Sequence, residues 1–154
     1  MFSIMYANEV LAEWNWQEFR RLPQAVFNVD IHCVTKWTKL DTNWEGVSID
    51  TLLEAAGIEP PTEFVMAYGE GDYTTNLPLE DLINNRAMIA MRFAGEALAA
   101  VHGGPARLLV PHRYFWKSAK WVKSLRFIDS NEPGFWERGG YHMYGDPWTE
   151  QRYR

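Results

Sequence analysis

The segment Phe27 to Cys33 alternates strictly. Phe27, Val29, Ile31 and Cys33 fall on one face of an extended chain, and Asn28, Asp30 and His32 on the other. This period of two commits the region to a half-buried strand and places Cys33 where the strand ends. Short apolar runs of the same kind recur at Phe2–Tyr6, Phe64–Tyr68, Ala87–Phe93, Arg107–Val110 and Ser124–Ile128. Gly and Pro break the chain between them, as at Gly69-Glu70-Gly71-Asp72, Gly95-Glu96 and Gly103-Gly104-Pro105. Helical signals are few and short. Asn15 caps a segment with Glu18 three residues on, running to Leu22 before Pro23. Ser48 caps another with Ile49, Leu52, Leu53 and Ala56 inward, closed by Gly57 ahead of Pro60-Pro61. Pro78 opens a third over Leu79–Asn84. Many short strands with few, short helices predict an α+β fold of mixed sheets in one domain over residues 1–154.

Composition excludes several classes of function. The chain is 47% hydrophobic and 15% aromatic, too apolar to be disordered. Its net charge of −5 argues against wholesale nucleic-acid binding, so any anion site is local. The N-terminus lacks the basic and apolar regions of a signal peptide, and no run approaches the ~20 residues needed to span a bilayer. One cysteine allows no internal disulfide, which fits a reducing, cytoplasmic setting. From Asn131 the chain is rich in Gly, Pro and aromatics. It reads as an irregular strap that packs through Trp136, Tyr141 and Trp148.

Two features carry chemistry. Cys33 is either a small buried hydrophobe or a thiolate ligand for a soft or high-valent metal, with His32, Lys36 and Lys39 near in sequence to favour its charged form. A cysteine nucleophile served by a histidine base is a rival without a local signature. A zinc site is weaker still, because the histidines lie at wide intervals. The second feature is the basic segment Arg107–Lys120. Arg107 opens an apolar strand. Lys117 and Lys120 lie three apart, on one face of a helical turn, with the Ser118 hydroxyl between them. Such a cluster holds a phosphate, or is a solvated basic patch.

Taken in order, these blocks resemble the molybdopterin-binding domain of the sulfite oxidase family, in its bacterial and archaeal branch of small oxidoreductases. The matching residues are Asp30-Ile31-His32-Cys33-Val34-Thr35-Lys36-Trp37, Trp44-Glu45-Gly46-Val47, Thr75-Asn76-Leu77-Pro78-Leu79, His102-Gly103-Gly104-Pro105, Val110-Pro111-His112, Phe115-Trp116-Lys117-Ser118-Ala119-Lys120-Trp121 and Pro133-Gly134-Phe135-Trp136-Glu137, followed by Gly140-Tyr141-His142 and Gly145-Asp146-Pro147-Trp148. The resemblance implies a molybdenum–molybdopterin cofactor with Cys33 as metal ligand. It implies His102 and Arg107 as contacts to the pterin or its phosphate, and Phe115, Trp116 and Lys117 as a cofactor-binding loop with Ser118 and Lys120 close by. The implied activity is two-electron oxygen-atom transfer on a small oxo substrate such as sulfite or a sulfoxide, with an unidentified electron-transfer partner. A cofactor-poor interaction module of the same fold is the alternative. Relatives carry more chain upstream, so the resemblance implies an N-terminally short version, weaker cofactor binding and self-association into a homodimer.

Overall fold

A computed structural model describes residues 1–154. Ten strands form two five-stranded sheets. The first contains β1 (Phe2–Tyr6), β2 (Glu9–Trp14), β5 (Phe64–Tyr68), β6 (Thr74–Pro78) and β10 (Ser124–Ile128), in the order β2-β1-β10-β5-β6. Its β1 and β10 run parallel, with Ser3 beside Ser124, and the other pairs are antiparallel. The second contains β3 (Ala25–Cys33), β4 (Trp37–Ser48), β7 (Met88–Phe93), β8 (Glu96–Ala97) and β9 (Arg107–Leu109). Its order is β3-β4-β7-β8, and β9 pairs with β7.

The caps act as the sequence predicts. Asn15 Oδ1 accepts from Glu18 N at 2.8 Å and Glu18 returns the bond to Asn15 N, which opens α1 (Trp16–Arg20). Ser48 Oγ accepts from Thr51 N and Gly57 ends α2 (Ile49–Ala56) in the left-handed region. After Pro78 there is only a 3-10 turn, Leu79–Asp81. Four strands are not readable from the sequence: β8 has only two residues, and the other three carry too little alternation. The first half of β4 is exposed, so its pairing with β3 rests on the backbone ladder and polar contacts such as Asn43 Nδ2 to Asn28 Oδ1 at 2.8 Å. β2 is an edge strand, mostly exposed. β6 is polar in sequence, yet Thr75 and Asn76 are fully buried.

The main apolar core lies between the sheets. Phe2, Ile4, Val65, Leu125 and Phe127 of the first meet Val47, Ile89 and Leu108 of the second, with Leu52 of α2. A smaller cluster of Ile31, Trp44, Met88, Ala90 and Leu109 lies within the second sheet, with Phe115 packed against it. One buried acid pins the loop after β9. Asp81 accepts two hydrogen bonds from Arg113 at 2.9 Å, and His112 Nε2 lies 3.2 Å from its Oδ1. Burial alone would raise this carboxyl. The hydrogen bonds and charges of His112 and Arg113 outweigh burial and hold it below the usual carboxylate range. A lowered carboxyl pKa contributes stability that is present above the unfolded value, ~3.9, and lost as pH falls through the folded one. The gap in melting temperature between wild type and Asp81→Asn is therefore expected to be full at neutral pH and to close in acid. A gap constant with pH would assign the effect to packing instead.

Candidate cofactor site

Cys33 ends β3, where the chain reverses through Lys36 with a backbone N–H bond to Cys33 O. The thiol is half-buried, and its Sγ lies 3.1 Å from Thr35 Oγ1. The neighbouring His32 points to the opposite face and places Nδ1 3.0 Å from Thr38 Oγ1, so this histidine does not serve the thiol as a base. Nowhere do three or more His, Cys, Asp or Glu side chains cluster to hold a metal ion. A metal at Cys33 would therefore take most of its ligands from outside the protein.

The thiol opens onto a cleft of about 350 Å³. Arg107, Ser118 and Lys120 line it together with Cys33, as do the aromatic walls Tyr73, Phe115, Trp116, Trp121 and Trp136. The structure thus brings the soft ligand and part of the basic segment to one cavity. Arg107 and Phe115 also face a second lobe of about 310 Å³, and His102 belongs to that lobe rather than to the first.

Arg107 is the electrostatic centre of the cleft. It is 3% exposed and has no acidic partner. Its Nη1 donates to His102 O at 2.9 Å and Nη2 to Ser118 O at 2.7 Å, and the guanidinium sits 4.1 Å over the Phe115 ring. Nε is buried without a partner. Burial pushes its pKa down to about 10, which still leaves it charged at neutral pH. A buried cation that lacks a counter-charge and keeps one unsatisfied donor fits an anionic group. Gly103 lets the loops close around it. At φ +108°, a Cβ there would meet Arg107 Cβ and the Lys120 backbone at 3.1–3.2 Å.

The rest of the basic segment divides. The 3-10 turn Phe115–Lys117 ends at Ser118, so Lys117 and Lys120 do not share a face as a continued helical turn would have them. Lys120 remains at the cleft and donates to Val101 O at 3.2 Å. Ser118 Oγ accepts from Val110 N at 2.9 Å, which ties the loop to the end of β9. Lys117 turns inward and is fully buried. Its Nζ lies 2.8 Å from Glu137 Oε2, 2.7 Å from Asn76 O and 2.6 Å from Met143 O. Burial pushes its pKa down to about 8 against the pull of Glu137. With its donors engaged in this way, Lys117 shapes the loop rather than facing the cleft.

Glu137 carries no sign of its burial in the sequence. It sits in α3 (Phe135–Arg138), is fully buried, and accepts from Thr75 Oγ1 and Trp116 Nε1 at 2.8 Å each. An acid in a Gly/Pro-rich stretch looks like a surface residue, and only the buried Lys117 explains it. The strap therefore docks by a polar latch as well as through the expected aromatics. Trp136 is 42% exposed and Trp148 69% exposed, yet Trp136 lines the cleft, Trp148 meets His32 edge-on at 5.1 Å and Tyr141 meets Trp116 edge-on at 4.9 Å. Tyr73 completes the wall by donating its hydroxyl to Trp116 O.

The two-sheet α+β fold is that of the sulfite oxidase type of molybdopterin-binding domain, and here one thiol and one uncompensated guanidinium face a common cleft. Residues 2–136 match the oxidoreductase molybdopterin binding domain, and the chain belongs to that family. It is 44% identical over 139 residues to the uncharacterized oxidoreductase YuiH of Bacillus subtilis, covering 90% of this chain and 70% of YuiH. It is 27% identical over 132 residues to the protein-methionine-sulfoxide reductase catalytic subunit MsrP of Gluconobacter oxydans, covering 75% of this chain and 42% of MsrP. The crystal structure of the sulfane dehydrogenase SoxCD from Paracoccus pantotrophus superposes with a TM-score of 0.72 at 22% identity, over 90% of this chain and 40% of that one. The chain thus spans less than half the length of the last two.

Proposed function

We propose that this chain holds a molybdenum–molybdopterin cofactor and catalyses two-electron oxygen-atom transfer on a small oxo substrate. The observation that carries the reading is the joint facing of Cys33 and the uncompensated Arg107 onto one cleft. Cys33 would ligate the metal, with Arg107 and Lys120 opposite the phosphate and the aromatic walls against the pterin. His102, through its carbonyl, and Ser118 position Arg107. When bound, the cofactor supplies the redox chemistry. The protein orients it, excludes water with Trp116, Trp121 and Trp136, and sets the local charge. The MsrP relative is a catalytic subunit by name. This supports an electron-transfer partner here, and the exposed Trp136 at the cleft, with the exposed Phe135 ring 5.3 Å from it, offers an apolar surface. A lone thiol that must stay reduced supports a cytoplasmic setting.

The test is the molybdenum and pterin content of protein purified from a host that makes the cofactor. Stoichiometric metal with released pterin is expected, and absence of both would overturn the reading. Arg107→Gln removes a charge-assisted contact of about 1.5–3 kcal/mol and is expected to lower pterin content. Equal pterin in variant and wild type would remove Arg107 from the phosphate site.

A further inference from the structure

A strand with only one neighbour offers its free N–H and C=O groups to another chain, and proteins normally guard such edges. Here β2 carries Glu9 and Glu13, β8 has only two residues, and Leu108 N of β9 is taken by Ala119 O. β6 lies under the strap, with Asn76 Nδ2 bonded to Asn131 Oδ1 at 2.8 Å and to Met143 O at 3.2 Å. β3 is the exception. It is nine residues long and holds neither Lys nor Pro. Its one register shift sets Val29 beside Thr42 and Ile31 beside Lys39, so the extra residue belongs to β4 and β3 stays regular. On the side away from β4 it is met only at His32, by a bridge to Tyr114.

The backbone decides which groups are free. Val29 O accepts from Thr42 Oγ1, so the main chain of Val29 points to β4. In an antiparallel ladder this direction alternates, so Val26, Asn28 and Asp30 point their N–H and C=O outward. Their side chains are exposed too, Val26 by 56%. Phe27 and Val29 face the other way and, with Asn85, Arg86, Pro111 and His112, line a groove of about 460 Å³.

We propose that β3 is the contact between two copies of this chain, paired antiparallel about a two-fold axis at Asn28, so that the two second sheets become one. The sequence of β3 is complementary to itself in this register and in no other. An axis at Asp30 would set Asp30 against its own copy. An axis at Val29 would set Val26 against His32, whose edge Tyr114 already occupies. An axis at Phe27 would carry Asp30 past Ala25, where the strand begins. At Asn28, Val26 and Asp30 of one copy meet Asp30 and Val26 of the other, and all three outward residues find a strand partner. On the inner face Phe27 meets Val29, an aromatic and β-branched pair that covers the strand side of the groove. Asn28 Oδ1 already accepts from Asn43 Nδ2 at 2.8 Å, so its own Nδ2 remains to donate to the facing Asn28. Glu45, beside Val26 on β4, is paired with Arg92 at 3.2 Å and brings no free charge to the contact. The contact is isologous and closes at two copies. One strand pair buries little surface, which makes the dimer reversible.

Sedimentation velocity of the full chain over a concentration series tests the contact, and its readout does not depend on bound cofactor. A monomer–dimer equilibrium is expected. Val26→Asp sets like charges opposite each other in both halves and is expected to weaken the dimer by about tenfold, whereas Val26→Lys, facing Asp30, is expected to tighten it. Asn28→Pro removes an outward N–H at the axis and is expected to abolish the dimer, with a melting temperature near that of wild type. Val101→Ser, on an exposed apolar residue elsewhere, is expected to change nothing. Cysteine pairing reads the register. Facing residues of a hydrogen-bonded pair have Cα atoms about 5.5 Å apart, within disulfide reach. In a Cys33→Ser background, Asn28→Cys is therefore expected to link two chains on mild oxidation, and Val26→Cys is not. A monomer at every concentration, a dimer indifferent to both Val26→Asp and Asn28→Pro, or Val26→Cys linking as readily as Asn28→Cys would overturn the proposal.

Discussion

Replacing Cys33 by serine should abolish turnover and strip most of the molybdenum, while the melting temperature stays close to that of wild type. The thiol contributes little to packing. It is half-buried at a strand end and its one polar contact is Thr35 Oγ1. Surface-like substitutions of this kind usually stay within about 0.5 kcal/mol. The metal bond is another matter. A serine hydroxyl is a harder and far less acidic ligand than a thiol. Loss of outer partners of a metal ligand already costs roughly 10–100-fold, and loss of the ligand itself exceeds that. Metal analysis, turnover and a thermal melt on the same preparation check the expectation. Full turnover in the serine variant would remove Cys33 from the metal.

Glu137→Ala should be the most destabilising single change in the strap. It leaves the Lys117 ammonium buried without its counter-charge, and it strips acceptors from Thr75 Oγ1 and Trp116 Nε1. Removing one partner of a buried ion pair costs about 3–5 kcal/mol. Trp148→Ala, which removes a much larger but exposed side chain, should shift stability by no more than about 0.5 kcal/mol. Denaturant melts of the two variants decide between a polar latch and aromatic packing. A larger loss from Trp148→Ala would give the aromatics the greater share. Because Glu137 and Lys117 brace Trp116, the glutamate variant should also lose pterin, even though neither charge faces the cleft.

Much of the fold was legible where one face of an element is buried and the other is wet. Phe27–Cys33, α2 and β10 all show their period openly, and the caps at Asn15 and Ser48 act as their side chains dictate. Elements that break this rule were silent. β4 leaves the core along its first half, so Thr38 is placed by the hydrogen-bond ladder and Asp41 by its N–H bond to Asp30 Oδ1, not by hydrophobicity. β6 buries Thr75 and Asn76 only because Glu137 and Lys117 satisfy them from distant segments. The site was legible in the same uneven way. Cys33 announced itself as a lone soft ligand at a strand end, and Arg107 as a charge out of place in an apolar strand. The fates of Lys117 and Lys120 could not be separated, because the spacing of two lysines does not reveal where a 3-10 turn stops.

The parallel pairing of β1 with β10 bears on how the molecule comes into being. Ser3 cannot find Ser124 until nearly the whole chain exists, whereas β3 pairs with its sequence neighbour β4, and β4 with the mid-chain β7, both antiparallel. Contacts between distant parts of a chain form slowly, since loop closure must precede any gain from them. The second sheet, with Cys33 and Arg107 at its strand ends, can therefore assemble during synthesis. The first waits with β1 paired to β2 alone, leaving Phe2 and Ile4 without most of their core partners. Tyr73 and Trp121 are set by that late sheet, through the turn after β5 and the run into β10. The cofactor cleft thus acquires its last walls when the chain closes, and a newly made molecule passes through a stage that is half-built and prone to aggregate. A cofactor of the proposed kind would meet a complete cleft only after the C-terminal strand has returned to the N-terminal one.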